Sequence, residues 1–141
     1  MRRNIMDSDM DVSVSTTDTR VPVTVFHIKG DIQANTYEEL QMMVEQAYQN
    51  GMRNLLLDLS DVSYISSAGL RALHYIFTML RGNLPGESDE AIKRGLMDGS
   101  FKSPHLKLLK PSPTVQRILK TAGFDMYLES YDDLREALDS F

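Results

Sequence analysis

The stretch "NLLLDLSDVSYISSAGLRAL", residues 54–73, decides the fold because it predicts a strand, a loop and a helix start in direct succession. Residues 54–59 are a nearly unbroken apolar run that is too short for a helix, which is typical of an interior strand covered on both faces. After the paired serines, apolar residues recur at helical spacing until Gly82: Leu70, Leu73, Ile76, Phe77 and Leu80. We therefore expect a central strand that leads into an amphipathic helix.

The segments on either side alternate between the period of two residues typical of a strand and the spacing of three and four residues typical of a helix. Strands are predicted at residues 10–15, 21–30, 106–110 and, as an edge strand, 126–129. Helices are predicted at residues 36–49, 113–122 and within 131–141. In the last of these the predicted apolar stripe is Leu134, Ala137, Leu138 and Phe141. This alternation indicates an α/β layer architecture in which strands joined across helices run parallel.

Length and composition fit one globular domain over residues 1–141, because 42% of the residues are hydrophobic and 25% are charged. The absence of cysteine excludes disulfides and thiolate metal sites. A formal charge of −5 argues against broad binding to nucleic acid or anionic lipid. No apolar segment suggests a signal peptide or a membrane span. We expect a cytoplasmic protein with no cofactor and no metal, and with a protein partner or a small ligand.

Two segments are expected to lie outside the regular core. Residues 1–9 are polar and acidic and are expected to be flexible. Residues 83–105 are rich in Gly, Pro, Ser and charge, which predicts an insertion or mobile loop, with a possible short helix at 88–97.

The serine pair stands where a loop enters the second helix. One hydroxyl there can accept a hydrogen bond from an unpaired backbone N–H, which leaves the other hydroxyl free. The helix start also tolerates an anion, so a phosphate added to a serine would be accepted by the domain itself. A switch at this position would control association with an acidic or apolar surface and would not unfold the domain.

Residues 55–73, "LLLDLSDVSYISSAGLRAL", resemble the signature of STAS domains, most closely that of the bacterial anti-sigma-factor antagonists. The matching residues are Asp58, Leu59, Ser60, Val62, Tyr64, Ile65, Ser67, Ala68, Gly69 and Leu70. The segments "IKGDI" (28–32) and "DDLREAL" (132–138) are also similar to the family. The resemblance implies a STAS-like α/β domain, a mixed sheet of four to five strands packed with four or five helices.

The resemblance also implies a regulatory binding module and not an enzyme. In the family an anti-sigma factor that is also a serine kinase phosphorylates the residue that corresponds to Ser67, and a phosphatase reverses the modification; Ser66 is the alternative acceptor here. The expected partner surface combines the turn after the second strand with the helix start: Gly30, Asp31, Gln33, Asn35, Ser66, Ser67, Ala68, Gly69 and Leu70.

The chain departs from the family pattern at three places. Ser66 and Gln33 stand where the family usually has acidic residues, so negative charge beside the acceptor is removed. The segment 83–105 replaces a connection that is normally short, and it is a candidate for a partner-specific contact.

Other interpretations of the serines remain open. A STAS subunit that binds its partner constitutively, or one that binds a nucleotide or small anion, would carry the same helix start. A hydrolase is disfavoured because "ISSAG" lacks a flanking glycine of the nucleophile elbow, and because His74 lies about two helical turns beyond Ser67. Four aromatic residues are interpreted as core by their periodicity: Phe26, Tyr64, Tyr75 and Phe77.

Overall fold

The computed structural model describes residues 10–17, 19–82 and 101–141. In chain order the elements are β1 (Met10–Thr17), β2 (Val23–Gly30), α1 (Tyr37–Gln49), β3 (Leu55–Asp61), α2 (Ser67–Arg81), β4 (Leu106–Leu109), α3 (Pro113–Thr121), β5 (Ser130–Tyr131) and α4 (Leu134–Asp139). The predictions for residues 1–9, for a helix at 88–97 and for most of the 83–105 insertion lie outside the described residues.

The strands form one mixed sheet in the order β1-β2-β3-β4-β5. The edge strand β1 pairs antiparallel with β2, while the other neighbouring strands pair in parallel. Strand β3 is the centre of the sheet, and Leu55, Leu56 and Leu57 are fully buried. The predicted α/β class, the mixed sheet and the central position of residues 54–59 are confirmed.

The alternation of side chains along the strands divides the core between the two faces of the sheet. Phe26, Leu55 and Leu57 belong to the larger apolar cluster, which also includes buried residues of α1, α2 and α3. Val25 and Leu56 belong to a smaller cluster on the other face, which also contains Ala137 and Leu138 of α4. Helices α2 and α4 therefore lie on opposite faces of the sheet.

The predicted edge strand at residues 126–129 is wrong, because this segment closes a helical turn. A 3-10 helix covers Phe124–Met126, and the Leu128 N–H donates to the Phe124 carbonyl at 2.9 Å. The Tyr127 ring packs against Phe77 with 4.6 Å between ring centroids. Pairing with β4 begins only at Ser130, where β5 supplies the parallel edge strand.

Two of the four aromatic residues assigned to the core are exposed. Phe26 and Phe77 are buried as predicted, but Tyr64 and Tyr75 keep 47% and 40% of their surface. Tyr64 precedes α2, so helical spacing does not apply to it, and Tyr75 is turned toward α1, where its hydroxyl donates to Glu45. In the predicted stripe of α4, Leu134 is also exposed at 45%.

The half-buried phenol of Tyr127 predicts a loss of stability at alkaline pH. Burial raises the pKa of Tyr127 from its ordinary value of 10.0 to about 12, so the folded state favours the neutral phenol. The stabilisation is complete below pH 10, and it is lost as the pH rises from there toward 12 because the unfolded chain ionises first. Urea denaturation should show this alkaline loss in the wild type and a smaller loss in Tyr127→Phe. The exposed Tyr64→Phe is the control and should keep the wild-type dependence; an unchanged profile in Tyr127→Phe would contradict the account.

Candidate functional site

The turn after β2 is hydrogen bonded directly to the segment that leads into α2. The Ile32 N–H donates to the Tyr64 carbonyl at 3.1 Å, and the Ser66 N–H donates to the Ile32 carbonyl at 2.9 Å. Ile32 and Ile65 form an isolated parallel bridge, and both side chains are buried. The two segments predicted to form one surface are therefore brought together.

The buried side chain of Thr36 holds the shape of this turn. Its hydroxyl donates to the Asp31 carbonyl at 2.7 Å and accepts from the Gln33 N–H at 3.0 Å. The Gln33 carbonyl accepts from the backbone N–H groups of Thr36 and Tyr37, at the start of α1. The turn is thus fixed by hydrogen bonds at both ends.

Gly69 allows the close approach of the turn to α2. A Cβ atom at this position would lie 2.3 Å from the Ile32 carbonyl oxygen and 2.8 Å from Cγ2 of Ile65. Both distances are shorter than atomic contact permits, so only glycine fits without movement. The role of Gly69 is therefore close packing of the turn against α2.

The two serines at the start of α2 are used differently. Ser66 is the N-cap residue, and its side-chain oxygen accepts from the Gly69 N–H at 3.2 Å. Ser67 is the first helical residue and is exposed. Within the described part of the chain its hydroxyl makes no hydrogen bond. The cap therefore leaves the Ser67 hydroxyl accessible from solvent.

The remaining residues of the predicted surface differ in exposure. Asn35 is exposed, and three residues of the turn are half-buried: Gly30, Asp31 and Gln33. Ala68 and Gly69 are buried, so they support the surface from below and offer no side chain to a partner. Leu70 is half-buried beside Ser67.

A groove of about 360 Å³ runs beside Ser67 and was not predicted from the sequence. One wall comes from the loop before α2 and from α2 itself, and the other comes from α3, including Arg117. The lining residues are Tyr64, Ile65, Ser67, Leu70, Arg117, Ile118, Thr121 and Ala122. No local sequence pattern predicts that the two walls are adjacent. The α3 residues come after β4 in the chain, and they lie near Ser67 only because of how the sheet places α3 beside α2.

The acidic and histidine side chains near the strand ends have local partners. The Asp58 carboxylate accepts from the Ser60 N–H at 3.0 Å and from the Ser60 hydroxyl at 2.8 Å. Nε2 of His27 lies 2.8 Å from a carboxylate oxygen of Asp61. Nδ1 of His105 lies 2.9 Å from the Asn54 side-chain oxygen, and burial lowers the pKa of His105. None of these contacts provides a base for Ser67.

The described ranges hold neither a cluster of metal-ligating side chains nor a helix that could span a membrane. Residues 10–17, 19–82 and 101–141 contain no group of three or more His, Asp or Glu side chains placed to hold a metal ion. Over the same ranges, the helices are too short or too polar to cross a bilayer.

The cap predicts a specific cost for replacing Ser66. Ser66→Ala should lower the free energy of unfolding by about 1 kcal/mol, because the Gly69 N–H loses its acceptor. Ser63→Ala, at an exposed serine of the preceding loop, is the matched control and should change it by less than about 0.5 kcal/mol. Chemical denaturation measures both. Equal stability of the two variants would show that Ser66 does not stabilise the helix start.

Comparisons with known proteins agree on the fold. Residues 15–83 match the family model of the STAS domain. The anti-sigma factor antagonist from Mycobacterium paratuberculosis superposes with a TM-score of 0.67 at 21% identity, covering 95% of this chain and 94% of that chain. Unphosphorylated SpoIIAA, also an anti-sigma factor antagonist, gives 0.60 at 17% identity, with 92% and 94% covered. SpoIIAA of Bacillus in its phosphorylated form gives 0.52 at 16% identity, with 90% and 97% covered. No curated protein sequence matches this chain.

Proposed function

We propose that this chain, whose residues 15–83 match the STAS domain model, is an anti-sigma-factor antagonist whose binding to an anti-sigma factor is switched at Ser67. It acts in the cytoplasm as a binding module without a cofactor. The observation that carries this proposal is the exposed Ser67 hydroxyl, which lies beside the groove while Ser66 caps the helix.

The docking surface consists of the turn from Gly30 to Asn35 and two residues at the start of α2, the exposed Ser67 and the half-buried Leu70. The hydrogen bonds of Ile32 hold the two parts together, so a partner meets a prearranged surface. Two structural neighbours are anti-sigma factor antagonists, and SpoIIAA has a phosphorylated form, which supports a regulated partner of the same kind.

The switch is a phosphoryl transfer from ATP held by the partner, a serine kinase. The Ser67 oxygen forms a bond to the γ-phosphorus, its proton passes to a base of the kinase, and ADP leaves with the electrons of the broken P–O bond. The product gains about 1.5 to 2 negative charges at pH 7. The first turn of α2 has no acidic residue, so the domain accommodates the phosphate while an acidic or apolar partner surface is repelled.

Ser67 is a better acceptor than Ser66 on geometric grounds. The Ser66 oxygen already accepts the Gly69 N–H, and Ser66 is half-buried. A kinase would have to displace this cap, whereas the Ser67 hydroxyl can be reached without changing the helix start.

The proposal is tested by partner capture followed by mapping of the phosphate. The wild-type protein, used as bait in a cytosolic extract of its source organism, should recover a protein with a serine-kinase domain. The purified kinase and ATP should then place one phosphate on Ser67 and none on Ser67→Ala. Phosphate on another residue, or no transfer, would contradict the switch. Equal partner binding before and after modification would favour a constitutive STAS subunit.

A further inference from the structure

Arg117 lies across the groove from the start of α2. It is exposed on α3 and lines the same groove as Ser67. Among the residues that the structure describes, it makes no ion pair. An arginine guanidinium offers donors in a planar fork that matches the oxygens of a phosphate. An unpaired arginine thus faces the space that a phosphate on Ser67 would enter.

A second arginine, Arg71, lies on the same face of α2 as Ser67. Arg71 follows Ser67 by four residues, which places the two side chains on one helix face. Arg71 is exposed, and over the described ranges it has no carboxylate partner either. Ser66 and Gln33 are uncharged, so these two neighbouring positions supply no carboxylate to compete for the arginines.

We propose that Arg117, assisted by Arg71, binds the phosphate of phosphorylated Ser67, so that the modified domain holds its own phosphate in the groove. This inference rests on the proposed function, because it concerns the modified state of the same serine. The bound phosphate occupies part of the groove and pairs with cations that the unmodified surface presents to a partner. Phosphorylation then removes a docking feature as well as adding charge.

The bound phosphate should be harder to remove than a free one. Its oxygens are shared with the Arg117 guanidinium, and a phosphatase has to break this contact before it can bind the phosphate. Because the contact is an exposed ion pair, which is weak, the loss of Arg117 should raise the rate of dephosphorylation only about two- to fivefold.

The test uses the full chain with phosphoserine inserted at position 67 during translation, so that no kinase is needed. The variants are Arg117→Gln, the double variant Arg71→Gln/Arg117→Gln, and Arg135→Gln as the matched control. Arg135 is an exposed arginine of α4, the helix on the opposite face of the sheet. Alkaline phosphatase rates are measured on each protein, and ³¹P NMR follows the second ionisation of the phosphate.

The expected result is faster dephosphorylation in Arg117→Gln, a larger increase in the double variant, and the wild-type rate in Arg135→Gln. The phosphate of the wild type should also ionise at lower pH than that of Arg117→Gln, because the guanidinium favours the dianion. Equal rates and equal titration in Arg117→Gln and Arg135→Gln would overturn the inference. Melting temperatures of the unphosphorylated variants should equal that of the wild type, which separates loss of the contact from misfolding.

Failure of this inference is distinct from failure of the proposed function. If Arg117 does not bind the phosphate, Ser67 is still a switch, provided that the kinase phosphorylates it. If the kinase does not phosphorylate Ser67, the proposed function fails, but the measurements on the inserted phosphoserine still test the contact with Arg117.

Discussion

Gly69→Ala is expected to lower the free energy of unfolding by about 3 kcal/mol, at the upper end of the cost of overpacking. The new methyl group would lie 2.3 Å from the Ile32 carbonyl oxygen. This oxygen cannot move freely, since it accepts the Ser66 N–H that joins the turn to α2. Relief of the clash therefore requires the turn after β2 to separate from the start of α2.

Urea denaturation measures this effect, and Thr78→Ala provides a control at an exposed position of the same helix. The control should change the free energy of unfolding by less than about 0.5 kcal/mol. Because the clash moves the turn, Gly69→Ala should also weaken partner binding in the protein that remains folded. Wild-type stability in Gly69→Ala would mean that the two segments are not in contact as described.

Ser67→Asp is expected to weaken binding of the anti-sigma factor by about tenfold, which corresponds to about 1.4 kcal/mol. The carboxylate places a negative charge on the docking surface, where a like charge or an apolar group of the partner has to approach it. Ser67→Ala should bind as the wild type does, because the Ser67 hydroxyl makes no hydrogen bond in the described structure.

Ser15→Asp is the matched control for this prediction. It adds the same charge at an exposed serine of β1, the antiparallel edge strand of the sheet. Titration calorimetry with the purified partner should therefore separate the two aspartate variants. If Ser15→Asp and Ser67→Asp weaken binding equally, the effect is one of net charge and does not identify a docking surface.

The interior elements could be predicted from the sequence because each one is defined by its own periodicity. The apolar run at 54–59 became the buried strand β3, and the helical spacing after Ser67 became α2, which ends before Gly82. The edge strand β5 could not be placed in this way. A two-residue strand is defined by its pairing with β4, and residues 126–129 fold into a turn because Tyr127 packs on Phe77.

The site was predictable where it depends on one local segment. A serine that caps a helix and a second serine beside it follow from the sequence of the helix start, and the structure assigns the cap to Ser66. The groove and Arg117 depend on how α3 packs after a further strand, which no local pattern encodes. The exposure of Tyr64 does not follow from periodicity, because this residue lies in the loop between β3 and α2.

The central claim is that a charge on the Ser67 hydroxyl is accepted by this domain and rejected by its partner. The most direct test compares the dissociation constants of the unmodified protein and of the protein with phosphoserine at position 67 for the same purified anti-sigma factor. We predict that both proteins fold with similar melting temperatures and that the phosphoprotein binds about 100-fold more weakly, or worse. Equal dissociation constants for the two folded proteins would contradict the account.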